Sequence, residues 1–168
     1  ELSSQSGVQG VAAMSGLPPV RLVNANDTDF EGYEAPKEGP FENVDYYQTV
    51  TLDYLKTMGI PLIDGRDFAL SDTTGAPVVL VNETLAKMFY GNQSPIGRRL
   101  KPGFRPQTPW FTIIGVVRDV KQGGVNAKTG SELYFLNAQW PTHLQASPRN
   151  MNVVMRTSLG GEALAPQV

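Results

Sequence analysis

The sequence predicts an α+β fold, and three observations carry that prediction. Short β-branched and aromatic runs recur at 78–81, 111–117, 132–136 and 152–157, the composition that suits a pleated surface. Apolar residues at helical steps occur only in brief stretches, and 17 Gly and 13 Pro in 168 residues cut the chain into short elements joined by turns. An apolar fraction of 40% supplies the core of one ordinary domain, or of two small lobes sharing a junction.

Val8 through Met14 reads as a short strand closed by Gly16 and Pro18-Pro19. Residues 20–40 are polar and rich in Gly and Pro, with short edge pieces expected at Arg21-Leu22-Val23 and from Phe30 through Tyr33. Between Asn43 and Met58, Tyr47, Val50, Tyr54, Leu55 and Met58 follow i+3/i+4 steps, which predicts a helix stopped by Gly59 and Pro61. Asp64-Gly65-Arg66-Asp67-Phe68 reads as a turn, and Ser71-Asp72 as a cap or Asx-turn before the Gly75-Ala76-Pro77 break.

The run Val78-Val79-Leu80-Val81 is the next strand, and Asn82 is placed to cap a helix by accepting from a free N–H of its first turn. In that helix Leu85, Met88 and Phe89 form one apolar stripe, and Gly91 provides a left-handed exit. After the Ser94-Pro95-Ile96-Gly97 turn, Arg98 to Lys101 and Trp110 to Val117 read as partner strands with a long Pro-rich connection. Gly123-Gly124 breaks the chain, Glu132 to Leu136 is a further strand, Pro141 to Asn150 a polar loop, and Asn152 to Thr157 the last strand.

Composition excludes several functions. Net charge is −2, so no overall positive field draws nucleic acid or an anionic membrane to this chain. Cysteine is absent, which excludes disulfides, thiolate catalysis and Cys-ligated zinc. No apolar run approaches the ~18–20 residues that span a bilayer, and the N-terminal Glu1-Leu2-Ser3-Ser4 begins no signal segment. Residues 1–10 resemble the tail of an earlier element and Gly161 through Pro166 opens a helix-like segment, so a piece of a longer protein is expected.

A series of motifs then stands in a telling order: Tyr46-Tyr47, the segment from Leu55 to Leu62, Gly65-Arg66-Asp67-Phe68 with Asp72, and Val79 to Ala86 with Phe89-Tyr90-Gly91. Pro95 to Leu100, Phe111 to Asp119, Glu132-Leu133-Tyr134-Phe135 and Val153 to Thr157 complete it, and Gly10-Val11-Ala12-Ala13 with Leu17-Pro18 fits its beginning. This series resembles the MacB-like periplasmic core domain, the extracytoplasmic part of FtsX-like ABC transporter permeases. The resemblance implies a porter-like α/β lobe, residues 1–77 and 137–168, with a small β-rich, Sabre-like lobe inserted at 78–136. It further implies a domain projecting between two transmembrane helices on the periplasmic face of the bacterial inner membrane, tethered there in the full-length protein. Neither those helices nor an ATPase domain lies in this sequence, so the implied partners are an ABC ATPase reached through the missing membrane part, and a periplasmic adaptor or second permease copy.

Reactive constellations are weak. His143 is the only histidine, in a Pro-rich loop without an orienting carboxylate, and reads as a surface residue. Asp64, Asp67 and Asp72 are oxygen ligands that suit a hard cation, yet their spacing lacks the rest of an EF-hand loop, and turn capping accounts for them. Gly123 through Thr129 imitates a phosphate loop, but Gln122 and Ala127 stand where that motif needs glycine. No Gly-x-Ser-x-Gly is present. Met58, Met88, Phe89 and Tyr90 are expected in the core.

Arg98, Arg99, Lys101 and Arg105, with Phe104 and Trp110 beside them, form the one dense basic cluster. Solvated strand charges are one reading and a partner-contact surface the other. The expectation is therefore a non-catalytic domain with no catalytic residue, cofactor or metal, coupling ATP-driven membrane motion to export or partner engagement. The alternative is a freestanding extracytoplasmic ligand-binding or sensor domain.

Overall fold

The computed structural model describes residues 2–34, 37–38, 43–103, 105–144, 148–158 and 160. In chain order these form β1 (Val8–Met14), β2 (Thr28–Phe30), β3 (Tyr46–Val50), α1 (Tyr54–Met58), β4 (Leu62–Gly65), β5 (Val78–Asn82), α2 (Glu83–Tyr90), β6 (Arg99–Pro102), β7 (Phe111–Val117), β8 (Glu132–Leu136) and β9 (Asn152–Thr157). Short 3-10 turns lie at Leu70–Thr73 and Asn137–Gln139, and one π-helical turn at Trp140–Leu144. The strands make one mixed sheet in the order β2-β6-β7-β5-β8-β3-β1-β9, with β4 added to β7. Among the described strands, only β5–β7 and β3–β8 pair in parallel. The class is the mixed α+β one that the short strands and sparse helical pattern predict.

The centre of the sheet is buried on both faces, and strand alternation divides its side chains. Val79 and Val81 of β5 join Leu133 and Phe135 of β8 in one core, which Leu85 of α2 covers. Val78, Leu80 and Tyr134 point the other way, into a second core with Met14, Val50, Tyr54 and Leu55 that α1 covers. Residues 78–136 lie in the same sheet as the segments on either side: β8 pairs in parallel with β3 from Tyr46↔Glu132 to Val50↔Leu136, and antiparallel with β5. A strand buried on both faces needs backbone partners at both edges, and β8 finds them on opposite sides of the 77/78 boundary.

Close backbone approach adds β4 to the sheet. Gly65 faces Gly115 there, at φ +74°, and a Cβ on Gly65 would stand 2.2 Å from the Ile114 carbonyl oxygen. Only glycine fits, which gives Gly65 of the Gly-Arg motif its physical reason. Of the segment expected as a turn, Asp64 and Gly65 are thus the end of a strand, and residues 66–68 lead out of it.

Other elements differ from expectation. The helix expected over 43–58 exists only as α1, while residues 46–50 form the wholly buried strand β3. Tyr47, Val50 and Tyr54 satisfy helical steps, but the run Tyr-Tyr-Gln-Thr-Val is β-prone and sits between two strands. Gly59 does end α1, in the left-handed region at φ 71°. Phe30 belongs to β2, but Glu31-Gly32 turns away from it, and residues 21–23 form no strand. Gly91 has φ 60° and ψ −116°, a positive-φ exit outside the left-handed helical well. Met58 packs against the α1-side core, and Phe89 and Tyr90 against the α2-side core, whereas Met88 is 57% exposed and is not a core residue. Part of the expected loop Pro141–Asn150 is the turn Trp140–Leu144. Phe104 and Gly161 through Pro166 lie outside the described residues.

Candidate functional site

The turn at Pro95-Ile96-Gly97 and strand β6 carry the basic residues to one edge of the sheet, next to β2. Arg98 and Arg99 are exposed. Arg99 is engaged: its Nε lies 3.1 Å from both oxygens of Glu31, its Nη2 donates to the same carboxylate, and its guanidinium stands 5.8 Å from the ring centre of Trp110. The hydrogen bonds from Arg99 hold the Glu31 carboxyl below its ordinary value. Lys101 donates to the Pro106 carbonyl at 2.9 Å. Arg105 is exposed on the following loop, its backbone N–H 3.2 Å from Thr108 Oγ1. Arg99 and Lys101 thus have partners within the domain, Arg105 is exposed, and Arg98 lines a groove.

That groove, about 270 Å³, is lined by Glu31, Gly32, Tyr33, Phe89, Tyr90, Gln93 and Arg98. Its aromatic wall is built where β2 meets the end of α2: Phe89 stacks on Phe30 at 3.8 Å, and Tyr33 meets Phe89 edge-on at 5.2 Å. The Tyr90 hydroxyl is buried with no hydrogen-bond partner among the described residues, and burial pushes its pKa up to about 12. This wall uses residues that the sequence pattern assigns to the core, since the periodicity of α2 does not show that β2 leaves its last turn partly uncovered.

A second polar centre, on the α1 side of the sheet, has no motif in the sequence. Glu132, 1% exposed at the head of β8, accepts from Gln122 Nε2 at 2.6 Å and from the Tyr134 hydroxyl at 2.7 Å. Arg21 reaches it from the β1–β2 connection, with Nη1 at 3.6 Å from Glu132 Oε1 and 3.0 Å from Gln48 Oε1, and Nη2 donating to the Tyr47 carbonyl. The guanidinium also lies over the Tyr46 ring. Register explains the meeting, because Tyr46 and Gln48 pair with Glu132 and Tyr134 and share their face. Burial raises the Glu132 carboxyl to about 7 against the pull of these hydrogen bonds and of Arg21. Burial also lowers the Arg21 guanidinium from its ordinary value, with Glu132 the largest opposing charge. A lone glutamate opening an otherwise apolar run, Glu132-Leu133-Tyr134-Phe135-Leu136, is the signal that could have marked it.

The remaining candidates serve the scaffold. His143 is half-buried, and its Nε2 donates to the Gly75 carbonyl at 2.9 Å, tying the Trp140–Leu144 turn to the loop before β5. Asp64 accepts from Gly65 N and Ser94 Oγ, Asp67 from Phe68 N, and Asp72 from Ala69 N and both terminal nitrogens of Arg66. No three His, Asp or Glu side chains among the described residues come together to hold a metal. Residues 123–129 form an irregular loop that leads into β8, with Lys121 donating to the Ala127 carbonyl at 2.8 Å.

The profile of the MacB-like periplasmic core domain matches residues 3–164. The fold is similar to the periplasmic region of MacB from Actinobacillus actinomycetemcomitans, with a TM-score of 0.65 at 18% identity over 99% of this chain and 66% of that one. It is also similar to the extracellular domain of the noncanonic ABC-type transporter YknZ from Gram-positive bacteria, with a TM-score of 0.61 at 17% identity over 98% of this chain and 73% of that one. A domain of a putative permease protein from Porphyromonas gingivalis gives a TM-score of 0.63 at 20% identity over 99% of this chain and 70% of that one. This chain thus spans only 66% of the MacB region it matches. No curated protein matches it. Fold and profile together define a domain of the kind that ABC transporter permeases carry outside the cytoplasm. The chain belongs to the family of MacB-like periplasmic core domains.

Proposed function

We propose that this chain is the periplasmic part of an FtsX-like permease subunit in the bacterial inner membrane, and that it couples motion driven by a separate ABC ATPase to export or to engagement of a partner. The observation that carries this reading is the β1–β9 ladder. It runs antiparallel from Met14↔Asn152 to Val8↔Thr157, and Ser158 N donates to the Gly7 carbonyl at 3.0 Å, so the chain enters and leaves the sheet side by side. A domain inserted between two membrane helices needs entry and exit strands that are neighbours. Such a ladder passes a displacement of either helix directly into the sheet, whose doubly buried centre resists bending. Arg98, Arg99, Lys101 and Arg105 are then contact points for an adaptor or a second permease copy.

The absence of cysteine from this chain makes the test direct. Ser71, which is exposed, is replaced by Cys in the full-length protein, with cysteines elsewhere in that protein removed. A membrane-impermeant maleimide should label it in intact spheroplasts; labelling only after lysis overturns the topology. Spin labels on the same Ser71→Cys site should report different distances between permease copies in nucleotide-free and ATP-trapped transporter. Identical distance distributions would refute coupling.

A further inference from the structure

We propose that the groove between β2, the end of α2 and Arg98 binds a carboxylate attached to one ring-sized apolar group, the chemistry shared by the C-terminal residue of a peptide and a free aryl carboxylate.

Charge selects the anionic end. Of the charged residues at this edge, Asp29 and Lys101 pair across β2 and β6, only Glu31 and Arg98 line the groove, and the Glu31 carboxylate is held by Arg99 through bonds from Nε and Nη2. Arg98 lines the groove, and its guanidinium has no hydrogen-bond or ion-pair partner among the described residues. A guanidinium with open donors beside an aromatic-walled groove pairs best with a planar carboxylate, which accepts two parallel N–H bonds.

The walls select the other end. Tyr33 and Phe89 present an aromatic corner, their planes at 84°, with Phe30 stacked behind. A ring entering the groove meets these aromatic side chains, with which edge-on or offset-stacked contact is favourable. The groove, about 270 Å³ and open to solvent on one side, has room for one such group with its carboxylate. Gln93, exposed at the rim, offers an amide N–H to the same anion. The Tyr90 hydroxyl, buried with no partner, marks the floor as a place where hydrogen bonding is incomplete.

This inference goes beyond the transporter reading and does not rest on it, so the maleimide and spin-label results stand whichever way binding falls. The test titrates the 168-residue chain, followed by amide NMR shifts, with N-acetyl-L-phenylalanine, its carboxamide, the peptide Ala-Ala-Ala-Phe and phenethylamine. Expected are saturable shifts at Tyr33, Tyr90 and Gln93 with the two acids, at least about tenfold weaker binding of the carboxamide, and a similar loss in Arg98→Gln. Thermal melting of Arg98→Gln confirms that its fold is intact, and exposed Tyr33→Ala gives a second variant that should weaken binding. Tighter binding of the peptide than of N-acetyl-L-phenylalanine assigns the site to peptide ends, and equal binding assigns it to free acids. Equal affinity for acid and carboxamide, stronger binding of phenethylamine, shifts elsewhere, or an unchanged affinity in Arg98→Gln each overturns the proposal.

Discussion

Acidification from pH 8 to pH 5 is expected to stabilise this domain, and Glu132 is the reason. Its carboxyl is raised from an ordinary 4.5 to about 7, chiefly by burial, so the folded state holds a proton that the unfolded chain releases. The contribution is fully present below 4.5 and is lost as pH rises through about 7. A difference of 7 minus 4.5 between the two states, at ~1.4 kcal/mol per pH unit, sets a ceiling of about 3 kcal/mol, of which about 2–3 kcal/mol falls between pH 5 and pH 8. Other groups titrate in this range too, so the measurement is a difference between wild type and Glu132→Gln. Gln retains an acceptor for Tyr134 or Gln122 and cannot ionise. Urea unfolding followed by tryptophan fluorescence at both pH values should show the wild-type midpoint falling by roughly 1 M relative to the variant as pH rises, for a slope near 2–3 kcal/mol/M. Parallel profiles for the two proteins, within about 0.5 kcal/mol, would show that Glu132 does not carry a proton in the folded state at pH 5 and would refute the reasoning.

Asn82→Ala removes a cap and more, because Asn82 Oδ1 accepts from Leu85 N and Glu132 N while Nδ2 donates to the Gly130 carbonyl; a loss of about 2–4 kcal/mol is expected by urea unfolding. Asp72→Asn keeps an acceptor for Ala69 N but loses the paired bonds from Arg66 at 2.7 and 2.9 Å, and solvent access to Arg66 limits the cost to about 1 kcal/mol. The hydrogen bond from Arg66 holds the Asp72 carboxyl below 3.8, so this gap should be full above that pH and close as pH falls through the lowered value, which an acid titration of both proteins checks. Tyr90→Phe deletes a buried hydroxyl that has no partner among the described residues and should raise stability by about 1 kcal/mol in the same urea assay. Arg98→Glu with Arg99→Glu sets a like charge against Glu31, but at an exposed, solvent-screened site, so the domain should stay folded with Tm lowered by no more than about 4 °C, while crosslinking of the full-length permease to an adaptor or second copy in membranes falls; an unchanged yield removes these residues from the contact surface.

Much of the fold is legible wherever a local rule had no competitor. The run Val78 to Val81 could only be a buried strand, Asn82 could only pay for its place there by capping α2, and Gly59 with Pro61 had to end a helix. The failure at Tyr46–Val50 has the opposite cause. Five residues all buried show no alternation of covered and exposed positions, so their pattern does not separate helix from strand, and β1 and β8 decide the outcome by supplying hydrogen-bond partners on either edge. The site shows the same division. The basic cluster of Arg98, Arg99, Lys101 and Arg105 is plain in the sequence, but that Arg99 is spent on Glu31 depends on β2 pairing with β6 across more than sixty residues. The Arg21–Gln48–Glu132 centre joins three segments, of which only the third carries a local sign, a glutamate opening an apolar run.

Sequence alone therefore determined the class, the order of most strands, the caps and turns, and through the ordered motifs the family, because those features follow from neighbouring residues and from patterns that span a single element. Tertiary structure alone decided which strand lies beside which, which charges are spent and which left open, and that a glutamate is buried beside an arginine distant in sequence. Pairing, burial and ionisation belong to contacts between distant segments, and no local run of residues contains them.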